Sequence, residues 1–135
     1  MASERKLERA EYRIPVILKD IETDVSLKGI IVDMSGTGCG IVTNDRRVRL
    51  TEEANLVGRI FQLDFDFYDF ETRGVEGKIV KIFAGADREH ERDIGIQFTK
   101  IPLLLKRDIN RTVMRDLEEQ KRRGPAPPAR RWNDE

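Results

Sequence analysis

Apolar and polar residues alternate along much of the first hundred residues, which is the pattern of strands that bury one face. The clearest example is the segment 59–67, in which Gln62, Asp64 and Asp66 share the polar face. The opposite face of this segment holds Phe61, Leu63, Phe65 and Phe67. This alternation predicts a strand with one face in a core and the other in solvent.

Five other segments show related patterns, of which the first has Val16 and Leu18 on one face and Ile17 on the other. The six predicted strands are 13–20, 28–34, 39–43, 59–67, 73–83 and 93–99. Short links join these strands, and we expect no helix between them. Such an order favours a mainly β fold, a closed or nearly closed six-stranded antiparallel β-barrel.

The fifth predicted strand is less regular than the others. Val75, Ile79 and Phe83 are expected on its buried face because polar residues separate them. Gly74 and Gly77 lie near its start, and glycine inside a strand often marks a bend or a bulge. We therefore expect this strand to depart from ideal geometry.

The period changes from two to about four residues after the last strand. Apolar residues recur every fourth position, at Leu105, Ile109, Val113 and Leu117. This spacing predicts a C-terminal α-helix that starts near Pro102 and ends before Gly124 and Pro125. The chain then divides into a flexible charged arm (1–12), the barrel (13–100), the helix (101–123) and a disordered Pro/Arg-rich tail (124–135).

Composition adds limits to this picture. The 135 residues include 25 Lys and Arg and 25 Asp and Glu, so a uniformly basic surface for a nucleic acid polymer is not expected. A single cysteine excludes an internal disulfide and a metal site built from several cysteines. No apolar run reaches the roughly 20 residues that a membrane-spanning helix needs. We expect a cytoplasmic protein without membrane insertion.

Catalytic and metal-binding groups are scarce in the sequence. Cys39 is predicted to point into the barrel as a structural thiol, and His90 to lie in a polar loop. The acidic residues Asp64, Asp66, Asp69 and Glu71 could suggest a cation site, but they are most simply interpreted as the solvent face of a strand. We therefore expect no enzyme activity, no metal and no cofactor.

Two short motifs indicate a binding function. Arginines recur at a spacing of four, at Arg5, Arg9 and Arg13, and the sequence Asp-Met-Ser-Gly-Thr-Gly follows at 33–38. Taken alone, arginines four apart are usually surface residues, and Asp-x-Ser with glycines is usually a turn.

Together the two motifs complement a guanine nucleotide. The planar guanidinium donors of arginine suit phosphate or the acceptor edge of guanine. Asp33 is an acceptor for the N–H groups of guanine, and Ser35 adds a small donor and acceptor. Gly36 and Gly38 would let the backbone approach a ligand closely.

The motifs resemble the signature of the PilZ domain family, RxxxR followed by [DN]xSxxG. The segments "RIPVILKD", "GKIVKI" and "DIGIQF" are also similar to strands of that family, and the resemblance covers roughly residues 8–120. It implies a β-barrel that binds the bacterial second messenger cyclic di-GMP. Thr37 stands where a glycine is frequent in the family.

The resemblance also implies the roles of the motif residues. Arg9 and Arg13 would contact phosphates and stack on guanine, Asp33 and Ser35 would bind a guanine edge, and Gly38 would leave room beside it. Many relatives have a basic residue where this chain has Ala10, which favours one bound nucleotide over two.

Further contacts are expected around this core of the site. Arg5 and Lys6 would supply part of the missing charge, and Gly36 is a further candidate contact. Phosphate neutralisation by arginine needs no divalent metal.

The implied function is a cyclic di-GMP receptor that changes conformation and signals to a protein partner in motility, attachment or polysaccharide output. The arm carrying the arginines would order on binding. The alternative is a nucleotide-independent interaction adaptor with the same fold. Trp132 in the tail and the basic residues Arg107, Arg111 and Arg115 of the helix are either solvated or part of a docking surface.

Overall fold

The computed structural model describes residues 10–23, 25–51, 55–70, 72–84 and 91–122. The predictions for Arg5, Lys6, Arg9, Glu71, His90 and Trp132 lie outside the described residues, as do those for the tail 124–135. Within the described part, no helix has the length and apolar character that a membrane crossing requires.

Six strands form a closed barrel, which confirms the predicted fold. They are β1 (Ala10–Asp20), β2 (Ser26–Ser35), β3 (Gly38–Thr43), β4 (Ile60–Phe65), β5 (Val75–Ala84) and β6 (Arg92–Lys100). The order around the barrel is β1-β2-β3-β6-β5-β4, and all neighbours are antiparallel. β1 starts three residues before the predicted strand because Ala10 is fully buried and pairs with Met34.

The described residues also form two helices, α1 (Arg46–Leu50) and α2 (Leu103–Arg122). The prediction of strands without an intervening helix was wrong, since α1 follows β3. Asp45 caps this short helix by accepting a hydrogen bond from the Arg47 backbone N–H at 2.9 Å. In α2 the predicted apolar stripe is confirmed, and Leu105, Ile109 and Val113 are buried.

The inner faces of the strands fill the barrel, mostly as the alternation predicts. Val16 and Leu18 are buried while Ile17 is 43% exposed, and Cys39 lies in the core. The apolar face of β4 and the residues after it is also buried, at Phe61, Leu63, Phe65 and Phe67. Alternation therefore identifies the core wherever a strand keeps a regular register.

β-bulges interrupt the register at three places that matter for the site. They lie between Glu11 and Ile14 in β1, between Ile31 and Asp33 in β2, and around Val80 in β5. A bulge inserts one extra residue into a strand and so changes which later side chains face inward.

The bulge in β5 overturns one prediction. Phe83 was expected in the core, but its side chain is 53% exposed, and Ile82 is buried in its place. The cause is the extra residue Val80. Ile79 pairs with Ile96 and Lys81 pairs with Gly95, so Val80 has no partner of its own in β6. After the bulge, the opposite set of side chains faces the core.

Candidate functional site

A cleft of about 730 Å³ lies across β2, β3, β6 and β5. One side is lined by Asp33, Ser35 and Thr37, at and after the β2 bulge. The opposite side is lined by residues of β5 that follow its bulge, including Lys81 and Phe83. Bulges thus direct polar and aromatic side chains into the cleft from both sides.

The floor of the cleft is formed by two glycines. Gly40 of β3 and Gly95 of β6 are register partners, Asp33 pairs with Gly40, and Lys81 pairs with Gly95. Asp33 and Lys81 are thus separated by three strand spacings of about 4.8 Å each along the curved surface of the barrel. We call Gly40 and Gly95 the glycine floor.

Both charged side chains lean over the glycine floor. A Cβ atom added to Gly40 would lie 2.9 Å from Asp33 Oδ2, and one added to Gly95 would lie 3.0 Å from Lys81 Cγ. Larger residues at either position would displace these side chains and fill the cleft. The missing Cβ atoms of the two glycines therefore make room for the side chains of Asp33 and Lys81 to cross the surface of the sheet.

Ser35 lines the cleft but also stabilises the turn after β2. Its Oγ lies 3.1 Å from Thr37 Oγ1 and accepts a hydrogen bond from the Thr37 backbone N–H at 3.3 Å. The residue is only 7% exposed. The geometry thus gives Ser35 a turn-forming role, and its predicted contact with a ligand stays a prediction.

Gly36 and Gly38 do not line the cleft. Close packing explains why both positions are glycine. A Cβ atom at Gly36 would overlap the side chain of Asn110 on α2, and one at Gly38 would overlap the carbonyl oxygen of Ile96 on β6. These glycines are needed for the close approach of α2 and β6. Their predicted contacts with a ligand remain predictions.

Arg13 lies beside the cleft, on the strand next to β2. It belongs to the β1 bulge, two residues after Glu11, which is the register partner of Asp33. The Arg13 side chain is half-buried and interacts with other parts of the chain. Its Nη2 atom is buried and has no hydrogen-bond partner among the described residues. The bulge thus places Arg13 near Asp33 without placing it in the cleft lining.

Sequence reasoning missed the far side of the cleft. Lys81, Gln97 and the glycine floor line it and were not predicted. A usable signal was present, because Gly40 and Gly95 are glycines in strand interiors, where they often mark the close approach of a ligand. Lys81 carried no such signal, since its position depends on the bulge and on the pairing of β5 with β6.

A second polar group, the Asp116 cluster, consists of Tyr12, Tyr68, Arg115 and Asp116. Both tyrosine hydroxyls donate to Asp116 Oδ2 at 2.7 Å, and Arg115 Nη2 donates to Oδ1 at 3.0 Å. Burial opposes ionisation of this carboxyl, but the three donors outweigh it and hold the pKa of Asp116 below its ordinary value. Burial and the nearby carboxylate raise the pKa of Tyr12, which stays protonated.

The Asp116 cluster ties α2 to the start of β1. Gln120 of α2 reinforces this contact by accepting from the Glu11 backbone N–H at 3.1 Å and donating to the Glu11 carbonyl at 3.2 Å. The residues just before Arg13 are thus held by the helix.

Metal binding gains no support from the geometry. Among the described residues, no three His, Cys, Asp or Glu side chains are grouped as a metal ion would require. Asp64, Asp66 and Asp69 are exposed, as the interpretation as a solvent face predicts.

A family model for the PilZ domain matches residues 3–115 of the chain. None of the curated protein sequences compared with the chain matches it. Several solved structures share its fold. The Bacillus subtilis inhibitor of motility MotI (DgrA) is 15% identical with a TM-score of 0.67, covering 84% of this chain and 51% of MotI.

Two further structures agree with this match. K. pneumonia MrkH is 14% identical with a TM-score of 0.66, covering 87% of this chain and 51% of MrkH. The PilZ domain of YcgR from Escherichia coli, solved with c-di-GMP, is 12% identical with a TM-score of 0.60, covering 88% of this chain and 96% of that domain. The chain thus spans about half the length of MotI and MrkH.

Proposed function

Since the chain belongs to the PilZ domain family, we propose that it is a receptor that binds cyclic di-GMP in the cleft across β2, β3, β6 and β5. The observation that carries this proposal is the placement of Asp33 over the glycine floor, with Ser35 in the same cleft and Arg13 beside it. The structure of the YcgR domain with c-di-GMP supports the choice of ligand.

Each group has a defined task in this proposal. The Asp33 carboxylate accepts hydrogen bonds from the N–H groups on the Watson–Crick edge of guanine, and Ser35 adds one polar contact. The base lies in the cleft, above the Asp33 and Lys81 side chains that cover the glycine floor. Arg13, together with Arg9, binds phosphate and stacks on a guanine face through its planar guanidinium. Arginine supplies the positive charge, so no divalent metal is needed, and no step of catalysis is involved.

The output of the receptor is a change that a protein partner reads. Support for this comes from β1, where Tyr12 and Arg13 are adjacent in one bulge. The Tyr12 hydroxyl donates a hydrogen bond to Asp116 of α2, whereas Arg13 lies next to the cleft. A ligand that draws Arg13 toward the cleft therefore pulls on the same segment that α2 holds, and it alters the surface around the helix.

Isothermal titration calorimetry of the full chain with cyclic di-GMP, with EDTA present, tests the proposal. We expect saturable binding at tens of micromolar protein and an affinity that falls as NaCl is added, because salt screens the contacts between arginine and phosphate. GTP at the same concentration is the ligand control. Absence of heat with cyclic di-GMP would contradict the proposal and favour a nucleotide-independent adaptor.

A further inference from the structure

The β5 bulge presents a lysine to the cleft. Val80 is the extra residue, and it and Lys81 are both exposed although they are consecutive in the strand. A regular strand would turn one of the two inward. The bulge therefore places Lys81 on the same outer surface as Asp33, on the opposite side of the glycine floor.

Two contacts hold the Lys81 side chain in this position. Its aliphatic part lies over Gly95, where an added Cβ atom would be 3.0 Å from Cγ and 3.2 Å from Cε. Its Nζ lies over the ring of Phe83, 5.4 Å from the centroid. Asp93 also lines this side of the cleft, but none of the ion pairs among the described residues includes the Lys81 ammonium. The exposed aromatic ring orients the ammonium through a cation–π contact without neutralising it.

The charges at the two sides of the cleft are complementary to different parts of a nucleotide. The Asp33 carboxylate attracts N–H donors and repels phosphate, whereas the Lys81 ammonium attracts phosphate. The glycine floor between them has no side chains of its own, and the side chains of Asp33 and Lys81 reach over it from either side. One molecule with a guanine edge and an anionic group fits this arrangement.

We propose that Lys81, oriented by Phe83, is a further ligand residue that binds a phosphate of the nucleotide on the side of the cleft opposite Asp33. This proposal rests on the proposed binding of cyclic di-GMP. It adds to the site a residue from β5, outside both sequence motifs.

The test compares cyclic di-GMP affinities of Lys81→Gln, Lys81→Arg and Lys28→Gln with that of the unchanged chain. Lys28 is exposed on β2 and does not line the cleft, so its substitution removes the same charge elsewhere. We expect Lys81→Gln to weaken binding about ten-fold, which corresponds to about 1.4 kcal/mol. Lys81→Arg and Lys28→Gln should stay within about three-fold of the unchanged chain, which corresponds to under ~0.7 kcal/mol.

A second measurement is the dependence of affinity on NaCl, which should be shallower for Lys81→Gln because one screened contact is absent. Equal affinity of Lys81→Gln and the unchanged chain would overturn the role of Lys81 while leaving the receptor function in place. An equal loss for Lys28→Gln would also overturn it, since net charge would then explain the effect. No binding by the unchanged chain would overturn both proposals.

Discussion

Asp33 and Asp116 are carboxylates in two different settings, one at the cleft and one buried between α2 and β1. Asp116 is 7% exposed, and its donors are the side chains of Tyr12, Tyr68 and Arg115. Asp33 borders an open cleft and leans over a glycine. A buried carboxylate with several donors from its own chain stabilises the fold, whereas the carboxylate at the cleft is the one that we propose accepts donors from a ligand.

The two regions meet in the β1 bulge. Tyr12 extends to the Asp116 cluster, and the next residue, Arg13, lies beside the cleft. Substitutions in the Asp116 cluster should therefore change mainly stability, and substitutions at the cleft should change mainly affinity.

The largest effect is expected for Asp116→Ala. The substitution leaves two tyrosine hydroxyls and Arg115 without their acceptor and loosens α2 from β1. Hydrogen bonds to a charged group contribute about 1.5–3 kcal/mol each and are not additive, so we expect the free energy of unfolding to fall by about 3 kcal/mol. Urea denaturation measures this change.

The control for Asp116→Ala is Glu118→Ala, an exposed substitution on the same helix that should change stability by less than about 0.5 kcal/mol. Equal unfolding free energies for the two variants would contradict a stabilising role of the cluster. The folded fraction of Asp116→Ala should still bind cyclic di-GMP.

Asp33→Ala should show the reverse behaviour. Loss of the guanine acceptor should weaken cyclic di-GMP binding by about 1.5–3 kcal/mol, while the melting temperature changes little. Calorimetry and thermal denaturation of the same sample measure the two quantities. Asp64→Ala, on the exposed face of β4, is the control and should change neither. A variant that melts much earlier yet binds normally would show that Asp33 only forms a turn.

Arg13→Lys separates charge from geometry at the cleft. Lysine keeps the positive charge but offers neither a planar face for stacking nor two parallel donors. We expect cyclic di-GMP binding to weaken about ten-fold to a hundred-fold with the fold intact. Arg107→Lys on the exposed surface of α2 is the control and should bind normally. Near-native affinity of Arg13→Lys would mean that the site reads charge alone.

The sequence predicts those parts of the fold that local periodicity determines. The segment later found as β4 has no bulge in its pairing with β1 or β5, so its alternation identifies the core face correctly. In β5 the same reasoning placed Phe83 inside, because an inserted residue leaves no trace in the alternation. The helix α1 was missed because five residues are too few to show an apolar stripe.

The candidate site also contains residues that the sequence predicted and residues that only the fold brings together. Asp33 and Ser35 were found because they form a compact motif, and the structure places both at the cleft. Lys81 and the glycine floor come from separate strands, and only the barrel order brings them together. Phe83, whose burial was predicted wrongly, lies in this region as well.

The smallest predicted effect is a pH dependence that belongs to the Asp116 cluster and not to the cleft. The pKa of Asp116 is lowered in the folded chain because hydrogen bonds from the two tyrosines and Arg115 outweigh the opposing effect of burial. A group with a lowered folded pKa adds stability that is fully present above its unfolded pKa, about 3.9. That stability is lost as the pH falls through the folded pKa.

Asp116→Asn isolates this contribution, because asparagine has a similar shape but does not titrate. Asp20 and Asp45 also have lowered pKa values, but both proteins contain them, so their effects cancel in the difference. The unfolding free energy of the unchanged chain minus that of Asp116→Asn should be constant above about pH 5, more than one unit above the unfolded pKa. This difference should shrink below pH 4. Protonation of Asp116 then removes its charge from the unchanged chain, and the Asp116→Asn variant has no such charge at any pH. Urea denaturation from pH 7 to pH 3 measures it, and a difference that stays constant to pH 3 would contradict the assignment of a lowered pKa to Asp116.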